Sequence, residues 1–361
     1  MLSRAGALLT ILVPTCNRYP FLWRLLRYYQ ACGAPFPMHI LDSSQDASPA
    51  SQLTTLMGSP PITYRRHDPH MLPIPKLSEG LRQVMSPYVV VWADDDLMVP
   101  RSLGLAATFL EAHSDFSVAH GRSGIFRADA GKDGRIAMEV GTSFRRSCTD
   151  DTAAARLRSH LTVGGSLFYS VHRTAWLRQN IEQCARLGFG YYWAELTLAC
   201  LAMIQGKAQA LDCLYMLRQM HGGQAAGWSQ TGTFDHFEWI TRPGFSEQYA
   251  AFRDCLAEAL ARQDGMPLRQ AQEAVKEAVW FYVARVLTQK WNGRYRPSDG
   301  GWRQRLREQA RRVPGLRRAW RAARTLTRRK KDELSLDALL RPSSLYHADF
   351  VPIYEAVTSR P

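Results

Sequence analysis

Three consecutive carboxylates, Asp94, Asp95 and Asp96, follow the apolar run Tyr88-Val89-Val90-Val91-Trp92-Ala93 and precede Leu97-Met98-Val99-Pro100. Adjacent like charges at the mouth of a buried strand repel and resist desolvation, so they need a compensating cation, for which a divalent metal is the natural candidate. Two other polar clusters also stand at the ends of apolar runs. Pro14-Thr15-Cys16-Asn17-Arg18 closes the run 8–13, and Asp42-Ser43-Ser44 closes the run 38–41. The second cluster could accept hydrogen bonds from a ribose or a base, or be a turn or helix cap, and the local sequence leaves both open. Glu195 is the single charge in the apolar, aromatic stretch 191–204. Burial there would raise its pKa, although a lone helical glutamate can also reach the surface or pair with an arginine such as Arg173.

The elements that must position these groups follow from spacing. Apolar runs rich in β-branched residues fit strands buried on both faces, as in a parallel sheet. Strands are expected at 8–13, 38–41, 62–67 and 88–92, with helices at 19–31 and 76–85 and another started by Pro100. This alternation predicts a mostly parallel, doubly wound sheet, with the loops after its first, second and fourth strands meeting at one edge. Further strands are expected at 116–125, 135–140 and 208–216. Helices are expected at 151–159, at 191–204 (buried, ended by Gly206) and at 267–290. Gly164-Gly165 reads as a turn ahead of a ligand-approach site. Residues 221–244 have no clear period and read as a lid or a long surface excursion. There is no Gly-x-Gly-x-x-Gly and no P-loop pattern, which disfavours a dinucleotide oxidoreductase and a P-loop kinase.

The chain has 361 residues, of which 46% are hydrophobic, enough for one large domain with or without an appendage. Its 46 basic and 32 acidic residues leave a net charge of +14, which favours anionic partners. Seven widely spaced cysteines without a Cys-x-x-Cys pair suggest neither a zinc cage nor a disulfide framework, and point to a reducing cytoplasm. No apolar run is long enough to span a bilayer. His67 and His70 lack further clustered ligands and are discounted as a zinc site.

Residues 301–331 hold 13 Arg or Lys against the single acid Glu308, with Trp302, Leu306, Ala310, Val313, Leu316, Trp320 and Ala323 at helical spacing about Pro314. Such a segment could lie on an anionic bilayer, cover the domain as a solvated face or bind nucleic acid, the last being least favoured.

Taken together, Ile11-Leu12-Val13-Pro14-Thr15-Cys16-Asn17-Arg18, Ile40-Leu41-Asp42-Ser43-Ser44 and the stretch 88–100 resemble the nucleotide-sugar domain of family 2 glycosyltransferases. The resemblance covers residues 8–220. It implies an α/β GT-A fold, a Rossmann-like, mostly parallel sheet with helices on both faces, followed by a helical basic C-terminal extension. The corresponding division is 1–220 for the transferase domain, 221–265 for an acceptor-side loop or lid, and 266–361 for the Arg-rich extension.

By the same resemblance, Pro14, Thr15, Asn17, Arg18 and Asp42 hold the nucleotide, Asp94 lies on the ribose side, and Asp95 with Asp96 binds Mn²⁺ or Mg²⁺. Ala93 stands where many relatives carry the first aspartate. Lys76 matches a position that could meet a phosphate, or is a solvated helix lysine. Glu195 matches the acceptor-side general base of an inverting transfer.

The expected reaction moves a sugar from a UDP- or GDP-linked donor to a glycan or lipid-linked acceptor hydroxyl. It is expected in the cytoplasm, with the segment 301–331 as a peripheral contact on the inner membrane face. No Gln-x-x-Arg-Trp element is found, which favours transfer of single sugars. The alternatives are a nucleotidyltransferase using the same triplet and a non-catalytic nucleic-acid or membrane-surface binding protein.

Overall fold

The early apolar runs become β1 (Leu9–Thr15), β2 (Met38–Asp42), β3 (Ile62–Arg66) and β4 (Tyr88–Val91) in a computed structural model of the chain. The structure describes residues 8–46, 61–130, 136–143, 146–163, 166–221, 236–295 and 334–359. The four strands lie side by side in the order β3-β2-β1-β4, all parallel. All four residues of β4 are buried, as a central strand covered on both faces requires.

Between these strands run α1 (Tyr19–Ala31) and α2 (Pro73–Arg82), and α3 (Pro100–Ala112) follows the aspartates. Each has a proline in its first turn, where the missing N–H breaks no helical bond. Pro73 therefore starts α2 three residues before the expected Lys76.

Beyond β4 the sheet becomes mixed. It continues through β5 (Leu97–Met98), β6 (Phe116–Ala130), β7 (Ile136–Ser143), β8 (Val171–Arg173) and β9 (Lys207–Gln219). β8 lies antiparallel between β4 and β6, and β9 runs parallel to β6. At its far end β9 pairs antiparallel with β5, setting Leu97 opposite Leu217 and Met98 opposite Met216. This register brings the end of β9 beside the aspartates. The expected α/β architecture with a mostly parallel central sheet is thus present. β5 and β8 are too short to show a period and were not expected.

The remaining helices are α4 (Ala153–Val163), α5 (Thr174–Arg186), α6 (Tyr191–Gln205), α7 (His236–Thr241), α8 (Phe245–Asp264), α9 (Leu268–Tyr295), α10 (Leu336–Leu339) and α11 (His347–Thr358). α6 is apolar almost all round because α4, α5, α8 and the sheet enclose it. Gly206 ends it where a Cβ would sit 2.8 Å from the Ser117 nitrogen and 2.9 Å from the Asp115 carbonyl oxygen, so only glycine fits.

From 236 onward the stretch expected as a loop or lid is helical, and α8 buries Phe252, Leu256 and Leu260. Residues 164–165, 222–235 and the basic run 301–331 lie outside the described residues. After that run the chain returns to the domain. α11 buries Phe350 and Ile353 and packs on α1, and the Tyr346 hydroxyl donates to Asp212 at 2.9 Å. Among the described residues no helix is long and apolar enough to cross a membrane.

Candidate active site

Parallel pairing sets Thr15 at the end of β1 opposite Asp42 at the end of β2, so the loops that follow start from the same sheet edge. They are tied together. Asn17 adopts the left-handed conformation (φ 56°), donates its N–H to the Ser44 hydroxyl at 2.7 Å and accepts from the Gln45 N–H at 2.9 Å. Asparagine tolerates that region better than most residues, and the cross-loop bonds hold it there.

Asp42 accepts four hydrogen bonds: from the Tyr19 and Tyr64 hydroxyls at 2.6 and 2.5 Å, and from the Ser44 N–H and hydroxyl at 2.7 and 2.5 Å. Burial alone would raise its pKa, but these donors outweigh it and hold the carboxyl below its usual range. The Ser44 contact makes 42–44 an Asx-type turn.

Lys76 is buried, against the solvated alternative. Its Nζ donates to the Thr15 carbonyl at 2.8 Å and the Ser43 hydroxyl at 2.7 Å, so it acts as a strut between the two loops. Burial lowers its pKa. Pro14 lies within β1 opposite Leu41.

The triplet is buried, and arginines surround it. Asp94 accepts from the Thr15 hydroxyl at 2.7 Å and from Arg18 Nη1 at 2.9 Å. Asp95 meets Arg18 Nη2 at 2.5 Å and His221 Nε2 at 3.0 Å, while Arg24 donates to its carbonyl at 2.8 Å. Asp96 accepts from the Gln219 N–H at 3.0 Å and from Arg218 Nε at 3.3 Å, and Trp92 Nε1–H donates to its carbonyl at 2.9 Å.

The carboxyls are electrostatically unequal. Burial pushes Asp94 up to about 6 and Asp96 to about 7, with the neighbouring Asp95 charge adding to both shifts. Asp95 is also desolvated, but Arg18 and His221 hold it below the ordinary value, so it is the persistent anion.

Toward α6, the Arg218 guanidinium lies 5.0 Å from the Tyr169 ring centroid, and the Tyr169 and Tyr191 hydroxyls are 3.3 Å apart. Glu195 stands one turn beyond Tyr191 on α6 and is half-buried, less enclosed than expected. Burial alone would lower the Arg218 pKa, but Asp96 foremost, with Tyr169 and Glu195, outweighs it and raises that pKa. Arg173 is engaged elsewhere, donating to the carbonyls of Leu110, His113 and Phe116. Trp193 packs on Trp239 and Phe252 in the core, and His67 pairs with Glu79 at 3.2 Å.

Asp95 could offer an oxygen to a divalent cation, and His221 a nitrogen in the tautomer whose Nε2 carries no proton. Arg18 Nη2 contacts both Asp95 Oδ2 and, at 3.1 Å, His221 Nε2, so a cationic nitrogen already sits against one carboxylate oxygen and one imidazole nitrogen. Such an oxygen–nitrogen pair suits Mn²⁺, and Mg²⁺ less closely. Among the described residues no group of three His, Cys, Asp or Glu side chains gathers to hold a metal, so phosphate oxygens would have to complete the coordination. Both Asp96 oxygens are taken by β9.

Sequence reasoning missed His221, Arg218, Gln219 and Arg24. The available signal was Arg218-x-x-His221 at the end of the strand expected at 208–216, but nothing local joins it to a triplet more than a hundred residues earlier.

No family model matches the sequence, and no curated protein matches it. Solved structures do. A crystal structure of S. aureus TarS, residues 1–349, in complex with UDP-GlcNAc aligns with 81% of this chain and 77% of that chain, at 16% identity and a TM-score of 0.51. The same protein in complex with UDP aligns with 81% and 76% at 14% identity, with a TM-score of 0.48. The first likeness shows a shared fold, the α/β class expected from the sequence.

Proposed function

We propose that the chain is a glycosyltransferase that moves one sugar from a UDP- or GDP-linked donor to the hydroxyl of a glycan or lipid-linked acceptor. The observation that carries this reading is the meeting, at one sheet edge, of the tied loops at 15–18 and 42–45 with the triplet 94–96. It is supported by a fold shared with a protein crystallised with a nucleotide sugar.

In this reading Pro14, Thr15, Asn17, Arg18, Asp42 and Asp94 face the nucleotide, and Lys76 keeps their two loops at fixed separation. Asp95, with His221 and with Asp96 behind it, would hold Mn²⁺ or Mg²⁺, which supplies charge neutralisation to the departing diphosphate. Arg18 and Arg218 would add positive charge there. Glu195 accepts the proton of the acceptor hydroxyl as that oxygen attacks the anomeric carbon; the bond to the diphosphate breaks and configuration inverts.

Calorimetric titration of UDP and GDP, with Mn²⁺ and with EDTA, into wild type and Asp95→Ala tests the donor site. Metal-dependent binding of one diphosphate, lost in the variant, is expected. Silence toward both diphosphates in wild type would overturn the assignment. Product stereochemistry read by NMR tests Glu195, because retention of configuration is incompatible with the single displacement it is given.

A further inference from the structure

Arg18 does more than face a nucleotide. Its two terminal nitrogens neutralise Asp94 and Asp95 together, at 2.9 and 2.5 Å, and the second also sits 3.1 Å from His221 Nε2, which is itself 3.0 Å from the same Asp95 oxygen. A divalent cation bound by Asp95 Oδ2 and His221 Nε2 together would have to take the position that Arg18 Nη2 holds against both atoms, so the guanidinium and the cation compete for that position. We infer that Arg18 is a resident counter-ion that keeps a free divalent cation off Asp95 until a nucleoside diphosphate draws the guanidinium away. The diphosphate's part rests on the donor reading above.

Three features support the exchange. The Arg18 Nε is buried and has no hydrogen-bond partner among the described residues, so the present position leaves part of the guanidinium unsatisfied. The side chain is 18% exposed, so it already reaches solvent. Arg18 caps α1 from outside the helix, so its side chain can turn about its own torsions while its carbonyl keeps the Phe21 and Leu22 N–H groups.

The charges also balance. Arg18 gives up two carboxylates and takes phosphate oxygens in the same forked geometry, while the two charges of the cation replace the guanidinium beside both Asp94 and Asp95. Arg24 stays on the Asp95 carbonyl throughout. Metal and nucleotide therefore enter together, and metal alone binds poorly.

The test is binding of Mn²⁺ alone to the full chain, read from the electron paramagnetic resonance signal of free Mn²⁺, for wild type, Arg18→Gln, Arg18→Lys and Arg18→Gln/Asp95→Ala. Thermal melts report folding of each. Arg18→Gln is expected to bind Mn²⁺ about tenfold or more tightly than wild type, since even one charge-assisted contact is worth that ratio. Arg18→Lys, which cannot bridge both carboxylates, falls between the two, and the double variant loses the gain. In saturating Mn²⁺, Arg18→Gln also binds the diphosphate that wild type accepts more weakly than wild type does.

Unchanged Mn²⁺ affinity in Arg18→Gln would mean that Arg18 is only a nucleotide contact. Weakened affinity would mean that it positions Asp95 for the metal, and a gain surviving Asp95→Ala would place the ion elsewhere. Each of these overturns the inference. The donor reading fails separately, through absence of UDP and GDP binding to wild type, and would take the diphosphate trigger with it.

Discussion

Asp42 shows how single residues here are set by the hydrogen bonds they collect. Its folded pKa lies below the ordinary value of 3.8, so near that value the unfolded chain binds the extra proton. The stability it contributes is therefore full above the ordinary value and is lost as pH falls through the folded pKa. Tyr64→Phe removes one of the donors to Oδ2, so the acid-unfolding midpoint followed by circular dichroism should move to higher pH. An unmoved midpoint would mean that the remaining three bonds suffice.

Glu195 is judged at the same scale. Glu195→Gln keeps the shape and removes the proposed base, so turnover should fall by about 10²–10⁴-fold while donor affinity, which does not involve the proton, stays put. Near-normal turnover in that variant would assign the base to another group.

Among the elements, the site depends on where chain segments end more than on what they contain. α8 ends at Asp264, whose carboxylate accepts the N–H groups of Ala153 at 2.8 Å and Ala154 at 2.9 Å and so caps α4 from a distant part of the chain. Those N–H groups have no partner within their own helix. Asp264→Ala should cost about 1 kcal/mol in urea unfolding, in the range of ordinary N-cap losses, and Asp264→Asn should recover part of it. No loss in the alanine variant would show that solvent replaces the cap at no cost.

Similarly, β5 is only two residues long, yet its pairing with β9 delivers Gln219 and Arg218 to Asp96. A one-residue slip of that register would turn every side chain at the end of β9 to the other face and leave Asp96 without its donors.

For the whole molecule, the C-terminal part is integral to the fold. Phe350 and Ile353 of α11 are fully buried, and the helix packs on α1, the element that begins immediately after Arg18. Phe350→Ala should therefore destabilise the protein by about 3–5 kcal/mol, as other buried phenylalanines do, with a corresponding fall in melting temperature. A change below about 1 kcal/mol would show that α11 is only loosely seated. A deletion intended to remove the basic run has to keep 334–359 for the same reason. The net charge of +14 belongs to the whole chain, and the three readings of 301–331 stand as proposals beside a domain described without that run.

Local pattern alone determined much of this protein. The helix at 19–31, the strands near 8–13, 38–41 and 88–91, the start at Pro100 and the stop at Gly206 were all readable, because buried strands, amphipathic helices and their caps write their geometry into neighbouring residues. The triplet was readable as a charge problem for the same reason: three adjacent carboxylates after an apolar strand demand compensation wherever the chain goes.

What compensates them was decided only by tertiary structure. The family resemblance assigned Arg18 to a nucleotide, but its grip on two of the aspartates, the approach of His221 to Asp95, and the closing of Asp96 by β9 are contacts between segments whose pairing no local period encodes. Lys76 followed the same course. A lysine on a short helix reads as solvated, and only the packing of α2 beneath the two loops shows that its charge is buried between two oxygens. Burial and long-range register belong to the assembled sheet, and so do the pKa values and contacts that depend on them.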